Sequence, residues 1–154
     1  MKVDIGISEE HRKEIANSLT GVLSDTYALY LKTHMYHWNV TGPMFDTLHK
    51  VFEEHYNEMW AAIDVLAERI RSLGHYAPSS YSAIVEDTGI VEDSGVPEAQ
   101  IMIQNLVKGH ETTVRTIRSA FEVAEKYNDQ GTLDVLTQRI SFHEKTAWML
   151  RSFL

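Results

Sequence analysis

Residues 74–96 read GHYAPSSYSAIVEDTGIVEDSGV, a stretch with a proline, several serines and Gly74, Gly89 and Gly95, and with no sustained apolar period. Helices joined by short turns become antiparallel neighbours. A connection of this length inside a compact domain is instead functional or topological, and it lets the chain cross a helical bundle before the next helix begins. What lies on either side therefore decides the fold.

On the N-terminal side, Ile15, Leu19, Val22, Thr26, Tyr30 and Thr33 recur at steps of three and four, which predicts a first helix over 8–40. Ser8, followed by Glu9 and Glu10, is a suitable N-cap with acids in the first turn. Thr41-Gly42-Pro43 breaks this helix, because proline disfavours a helical Gly42 while suiting the start of a new helix. The second helix carries Leu48, Phe52, His55, Met59, Ala62, Leu66, Ile70 and Leu73 on one stripe and closes at Gly74. Beyond the long link, a third stripe runs through Ile103, Leu106, His110, Val114, Ile117, Phe121 and Ala124. YNDQG at 127–131 interrupts it, and Leu133, Leu136, Ile140, His143, Ala147, Leu150 and Leu154 form a fourth. The reading is an all-α four-helix bundle with one long crossover connection between the second and third helices, with residues 1–154 as a single domain.

Composition narrows the chemistry. The net charge of -8 disfavours nucleic acid and anionic lipid as partners and favours cations. With no cysteine, disulfides, thiolate zinc sites and cysteine nucleophiles are excluded, and a reducing compartment is permitted. MKVDIGISEEHRKEI contains no apolar leader core, and no run approaches the roughly 18 apolar residues of a membrane span. A soluble, cytoplasmic protein is expected.

The second helix holds more than its core stripe. At about 100° per residue, with His49 at zero, Glu53 lies near 40°, Asp64 near 60° and Glu68 near 100°, while the core stripe centres about 95° the other way. These four metal-competent side chains thus point away from the bundle's own core. Tyr56, Trp60 and Ala67 share their face, and an exposed apolar strip of that kind reads as a subunit interface. His49 and Asp64 are nevertheless about 22 Å apart along the helix axis, so one metal centre cannot use all four from one chain. A twofold axis crossing the helix near its middle removes the difficulty by setting His49 and Glu53 of one chain against Asp64 and Glu68 of its mate. Such a nitrogen and carboxylate set suits iron(II) better than structural zinc.

HMYHW at 34–38 supplies a further candidate. The short turn brings His37 level with His49, and His37 continues the stripe of the first helix, with His34 about 60° off it. Geometry favours His37 and leaves His34 open as a supplementary ligand. His55, His110 and His143 sit on core stripes with no carboxylate beside them and no Glu-x-x-His pair in the chain. They are expected to be buried histidines hydrogen-bonded to groups such as Thr26 or a backbone carbonyl. Tyr27, Tyr30 and Trp148 read as core or interface aromatics.

HWNVTGPMFDTLH (37–49), DVLAERIRSLG (64–74) and HEKTAWML (143–150) resemble the Dps miniferritins, the DNA-binding proteins from starved cells, and the likeness covers nearly the whole chain. The resemblance implies a ferritin-like bundle assembled as a shell of twelve subunits. Ferroxidase sites at its dimer interfaces would oxidise iron(II), preferentially with hydrogen peroxide, and ferric mineral would be stored inside, protecting against oxidative damage. It implies that His37, His49 and Glu53 from one subunit join Asp64 and Glu68 from the other around two irons, with zinc a possible substitute. Glu53 stands where the family often has aspartate, a difference in length that bears on metal spacing. Trp38 is expected to pack against the site and intercept oxidising equivalents. Acidic residues near the start of the fourth helix line iron-entry pores in the family, which makes Asp129 and Asp134 the candidates here; the helix dipole would stabilise both acids in any case.

Two other functions compete with this one. The first is a nucleoid-associated, DNA-coating protein with little ferroxidase role. Family members that bind DNA directly commonly use a lysine-rich tail, whereas this chain has Lys2, Arg12 and Lys13 opposed by Asp4, Glu9 and Glu10, so tight DNA binding is not expected. The second is a metal-stabilised structural shell without redox turnover.

Overall fold

A computed structural model of the chain describes residues 3–154, so Lys2 lies outside the described residues. Five helices follow one another: α1 (Glu9–Asn39), α2 (Phe45–Ser72), α3 (Tyr81–Glu86), α4 (Ala99–Lys126) and α5 (Gln130–Arg151). Four are long and form the bundle. α1 packs against α2 and α4, and α5 packs against α4 and, more lightly, α2. Ser8 caps α1 as expected, its Oγ accepting from the backbone N–H of His11 at 3.3 Å. Gly74, at φ +90°, reverses the chain after α2, where the His75 N–H reaches back to the Ile70 carbonyl. No described helix is long and apolar enough to cross a membrane.

The link between α2 and α4 is more ordered than its sequence suggests. It contains α3, which the apolar pattern does not reveal because six residues are too few to show a period. Ser80 starts that helix by accepting from the Ala83 N–H at 3.2 Å, and Ile84 packs against the main core. The link then climbs beside α1. Asp25, fully buried on α1, holds it by accepting from Thr88 Oγ1 (2.8 Å) and the Gly89 N–H (2.7 Å), while its other oxygen accepts from Thr116 Oγ1 of α4 (2.6 Å). Higher up, Lys32 donates to Asp93 at 2.6 Å and Asn105 of α4 donates to the same carboxylate. These ties make α4 antiparallel to α1. Replacing Asp25 by alanine strands three donors at once, and urea unfolding should show a loss of about 2–4 kcal/mol.

Inside the bundle the apolar core is split. One cluster, around Leu19, Leu66, Ile70, Ile117 and Leu136, fills one end, and another, around Leu29, Phe52, Met59, Leu106 and Leu150, fills the other. Between them lies a layer of buried polar groups that includes Thr26, His110, Thr113, Arg139 and His143. Arg139 is held there by a two-pronged ion pair with Glu58, at 2.6 and 2.7 Å, which ties α5 to α2.

Candidate metal centre

The α1–α2 hairpin brings His37 and His49 face to face. Their rings stack with centroids 3.8 Å apart, and each is fastened to the other's backbone. His37 Nδ1 lies 2.7 Å from the His49 carbonyl, and His49 Nδ1 lies 2.8 Å from the His37 carbonyl. A carbonyl only accepts, so both Nδ1 atoms carry the hydrogen. In the neutral rings the lone pair is therefore on Nε2 of each, and both imidazoles are oriented and fixed in the tautomer that binds metal through Nε2. Gly42, at φ +106°, makes the connection short enough for this pairing.

Glu53 follows His49 by one turn on α2 and is exposed, as are Asp64 and Glu68 further along. Among the described residues none of these three carboxylates has an ion-pair partner. They lie on the helix that also exposes Trp60 (57 %) and Val65. The structure thus brings His37 and His49 together and leaves Asp64 and Glu68 elsewhere on α2. Among the described residues no group of three or more histidine and acidic side chains converges within one chain.

His34 is engaged differently. Its ring stacks on Tyr56 at 4.1 Å and lies 4.4 Å from Trp38, and its Nδ1 is 3.4 Å from the Tyr30 hydroxyl. Burial, with His37 nearby, holds its pKa below the ordinary imidazole value.

The ferritin-like domain family matches residues 16–154. A DNA protection during starvation protein of Brevibacillus brevis is 37% identical over 140 residues, covering 91% of this chain and 94% of its own length. Among solved structures, the Dps protein of Vibrio cholerae O1, described as a member of a broad superfamily of ferritin-like diiron-carboxylate proteins, superposes with a TM-score of 0.93. It is 31% identical, covering 99% of this chain and 97% of its own. This chain belongs to the Dps family. The Dps protein of Bacillus brevis (TM-score 0.90, 35% identity, 99% of both chains) shares the same fold. An uncharacterized low temperature-induced protein of Nostoc is 41% identical over 99% of this chain and 87% of its own length.

Within this Dps bundle two expectations need correction. Asp129 is 3 % exposed; its carboxylate accepts from Arg69 at 2.6 Å and from the Thr132 N–H and hydroxyl, capping α5. A carboxylate so enclosed by its own subunit is not available to line a pore, which leaves Asp134, exposed and accepting from Gln138, as the pore candidate. The core histidines are also not satisfied as expected. Thr26 Oγ1 bonds back to the Val22 carbonyl, and Thr113 bonds back to Gly109. His110 and His143 instead share one hydrogen bond between their Nδ1 atoms, at 2.8 Å. Among the described residues, His55 Nδ1, His110 Nε2 and His143 Nε2 are buried without a partner. The helical stripes located all three residues correctly but carried no information about which polar groups would face them.

Proposed function

We propose that this Dps chain is a ferroxidase and iron store whose sites form where two copies meet. His37, His49 and Glu53 of one subunit and Asp64 and Glu68 of its mate bind two iron(II) ions as substrate. The observation that carries this reading is the reciprocal fastening of His37 and His49, which leaves the Nε2 atom of each ring as the donor for a metal. The donor set fits iron(II) in number and hardness, and zinc would compete for the same nitrogens.

In this reading one hydrogen peroxide takes one electron from each of two iron(II) ions and leaves as two hydroxides, so no hydroxyl radical is released. The carboxylates offset the growing positive charge, and the tethered imidazoles keep both donors in place as that charge rises. Ferric product then passes to the inside of a hollow shell of twelve subunits, and the cell's cytoplasm is spared a peroxide and a free iron. Direct DNA binding forms no part of the proposal. Arg12, one of the few basic residues near the start, is buried and donates to the Leu73 and Ile7 carbonyls.

The test is anaerobic iron(II) loading followed by peroxide, monitored by ferric absorbance, with anomalous scattering at the iron edge to locate the metal. If iron oxidises no faster with the protein than in buffer, the ferroxidase reading fails and a redox-silent shell replaces it. His37→Ala should slow peroxide-driven oxidation at least about tenfold and much more than His34→Ala does, because His37 is the donor and His34 packs beside it.

A further inference from the structure

The polar layer across the middle of the bundle holds two histidines that have no part in the candidate centre. His110 of α4 and His143 of α5 are both 0 % exposed, and their Nδ1 atoms face each other at 2.8 Å. Two neutral imidazoles paired in this way share one hydrogen: one Nδ1 donates and the other accepts. Among the described residues the Nε2 atom of each ring has no partner, so the shared hydrogen bond is the only one that either ring makes.

A metal ion can take the place of that shared hydrogen. Two nitrogens bound to one metal at about 2 Å each stand roughly 3–4 Å apart, so insertion parts the rings by about 1 Å and breaks a single hydrogen bond. The donating ring moves its hydrogen to Nε2, and the ion then meets two lone pairs. Burial, His55 and the Arg139 guanidinium hold His110 down to about 3, and burial, His110 and Arg139 lower His143 as well. Protons therefore do not compete for these lone pairs at neutral pH.

What the layer lacks decides which ion fits. Among the described residues no third histidine or acidic side chain converges on the pair, and Glu58 is engaged by both prongs of Arg139. Iron(II) and zinc(II) take four or more ligands, and burying a double charge beside a guanidinium without a carboxylate ligand is costly. A monovalent d10 ion accepts two donors in line and brings only one charge.

We propose that His110 and His143 bind one copper(I) ion per chain through their two Nδ1 atoms. This site shares no residue with the ferroxidase reading and does not depend on it. The Phe142 ring lies 5.1 Å from His143 and 6.0 Å from His110 between centroids, and apolar clusters fill the bundle on either side of the layer. Held there, copper(I) is kept from water and from reducing peroxide to hydroxyl radical.

The experiment adds copper(I), kept reduced anaerobically with ascorbate, to the assembled protein in competition with a copper(I) chelator. Anomalous scattering at the copper edge then locates the metal in crystals of the loaded protein. One ion per chain between His110 and His143 is expected, with the strong pre-edge absorption of two-coordinate copper(I), and an excess of zinc(II) leaves it in place. His110→Gln and His143→Gln should each weaken uptake at least about tenfold. Because the scattering locates the ion in the unaltered protein, a variant that folds poorly does not remove the test. Copper bound only at His37 and His49, no uptake against the chelator, uptake undiminished in His143→Gln, or displacement by equimolar zinc(II) would each overturn the proposal.

Discussion

Assemblies formed from a His37→Ala chain together with an Asp64→Ala chain should recover iron oxidation that neither variant has alone. In a homodimer of either variant both sites lack a ligand, and activity should fall at least about tenfold. In the mixed dimer of the proposed arrangement the two lesions fall in the same site, because there His37 of one subunit would serve the centre completed by Asp64 of the other. The remaining site is whole. Random pairing makes half of the dimers mixed, so about a quarter of all sites should be active again. A site built within one chain predicts no recovery at any mixing ratio. Initial rates of peroxide-driven ferric absorbance, measured across ratios of the two chains unfolded and refolded together, decide between them.

Acid should unfold the bundle through its polar middle layer. Burial pushes His55 down to about 4 and His110 down to about 3, with His55 and the Arg139 guanidinium adding to the effect at His110. His143 is lowered in the same way by burial, His110 and Arg139. Glu58 of α2 is paired with the Arg139 guanidinium of this layer. Above pH 6.5 these rings are neutral in both the folded and the unfolded chain and contribute no pH dependence. As pH falls below 6.5 the unfolded chain takes up protons that the folded chain refuses, so stability drops until the folded values near 4 and 3 are reached. Each histidine contributes about 1.4 kcal/mol per pH unit, about 4 kcal/mol for the three together. Against a total of about 5–15 kcal/mol for a typical protein, one or two pH units are decisive. Thermal unfolding followed between pH 7.5 and 4.5 should show the midpoint collapsing below pH 6; a flat profile down to pH 5 would refute the role given to this layer.

Much of the fold was legible because helical phase is local. Steps of three and four placed the four long helices within a few residues, and the long link after Gly74 gave the crossover topology without any knowledge of what the helices touch. The same phase placed His49, Glu53, Asp64 and Glu68 on the outward side of α2, where the structure leaves the three acids exposed. The short helix α3 escaped notice because its signal is a cap, Ser80, rather than a period. Asp129 was misread because an acid at a helix start looks alike whether it faces solvent or, as here, Arg69 from another helix.

The sequence by itself determined the helices, their faces and the inventory of ligands, since 3.6 residues per turn sets direction from spacing alone. Only the tertiary structure decided which groups meet. It set His37 rather than His34 against His49, because only the hairpin brings each ring within reach of the other's carbonyl. It likewise joined His110 to His143 and stacked His34 on Tyr56. Side-chain partners across helices depend on packing between distant segments, and that packing is a property of the whole bundle.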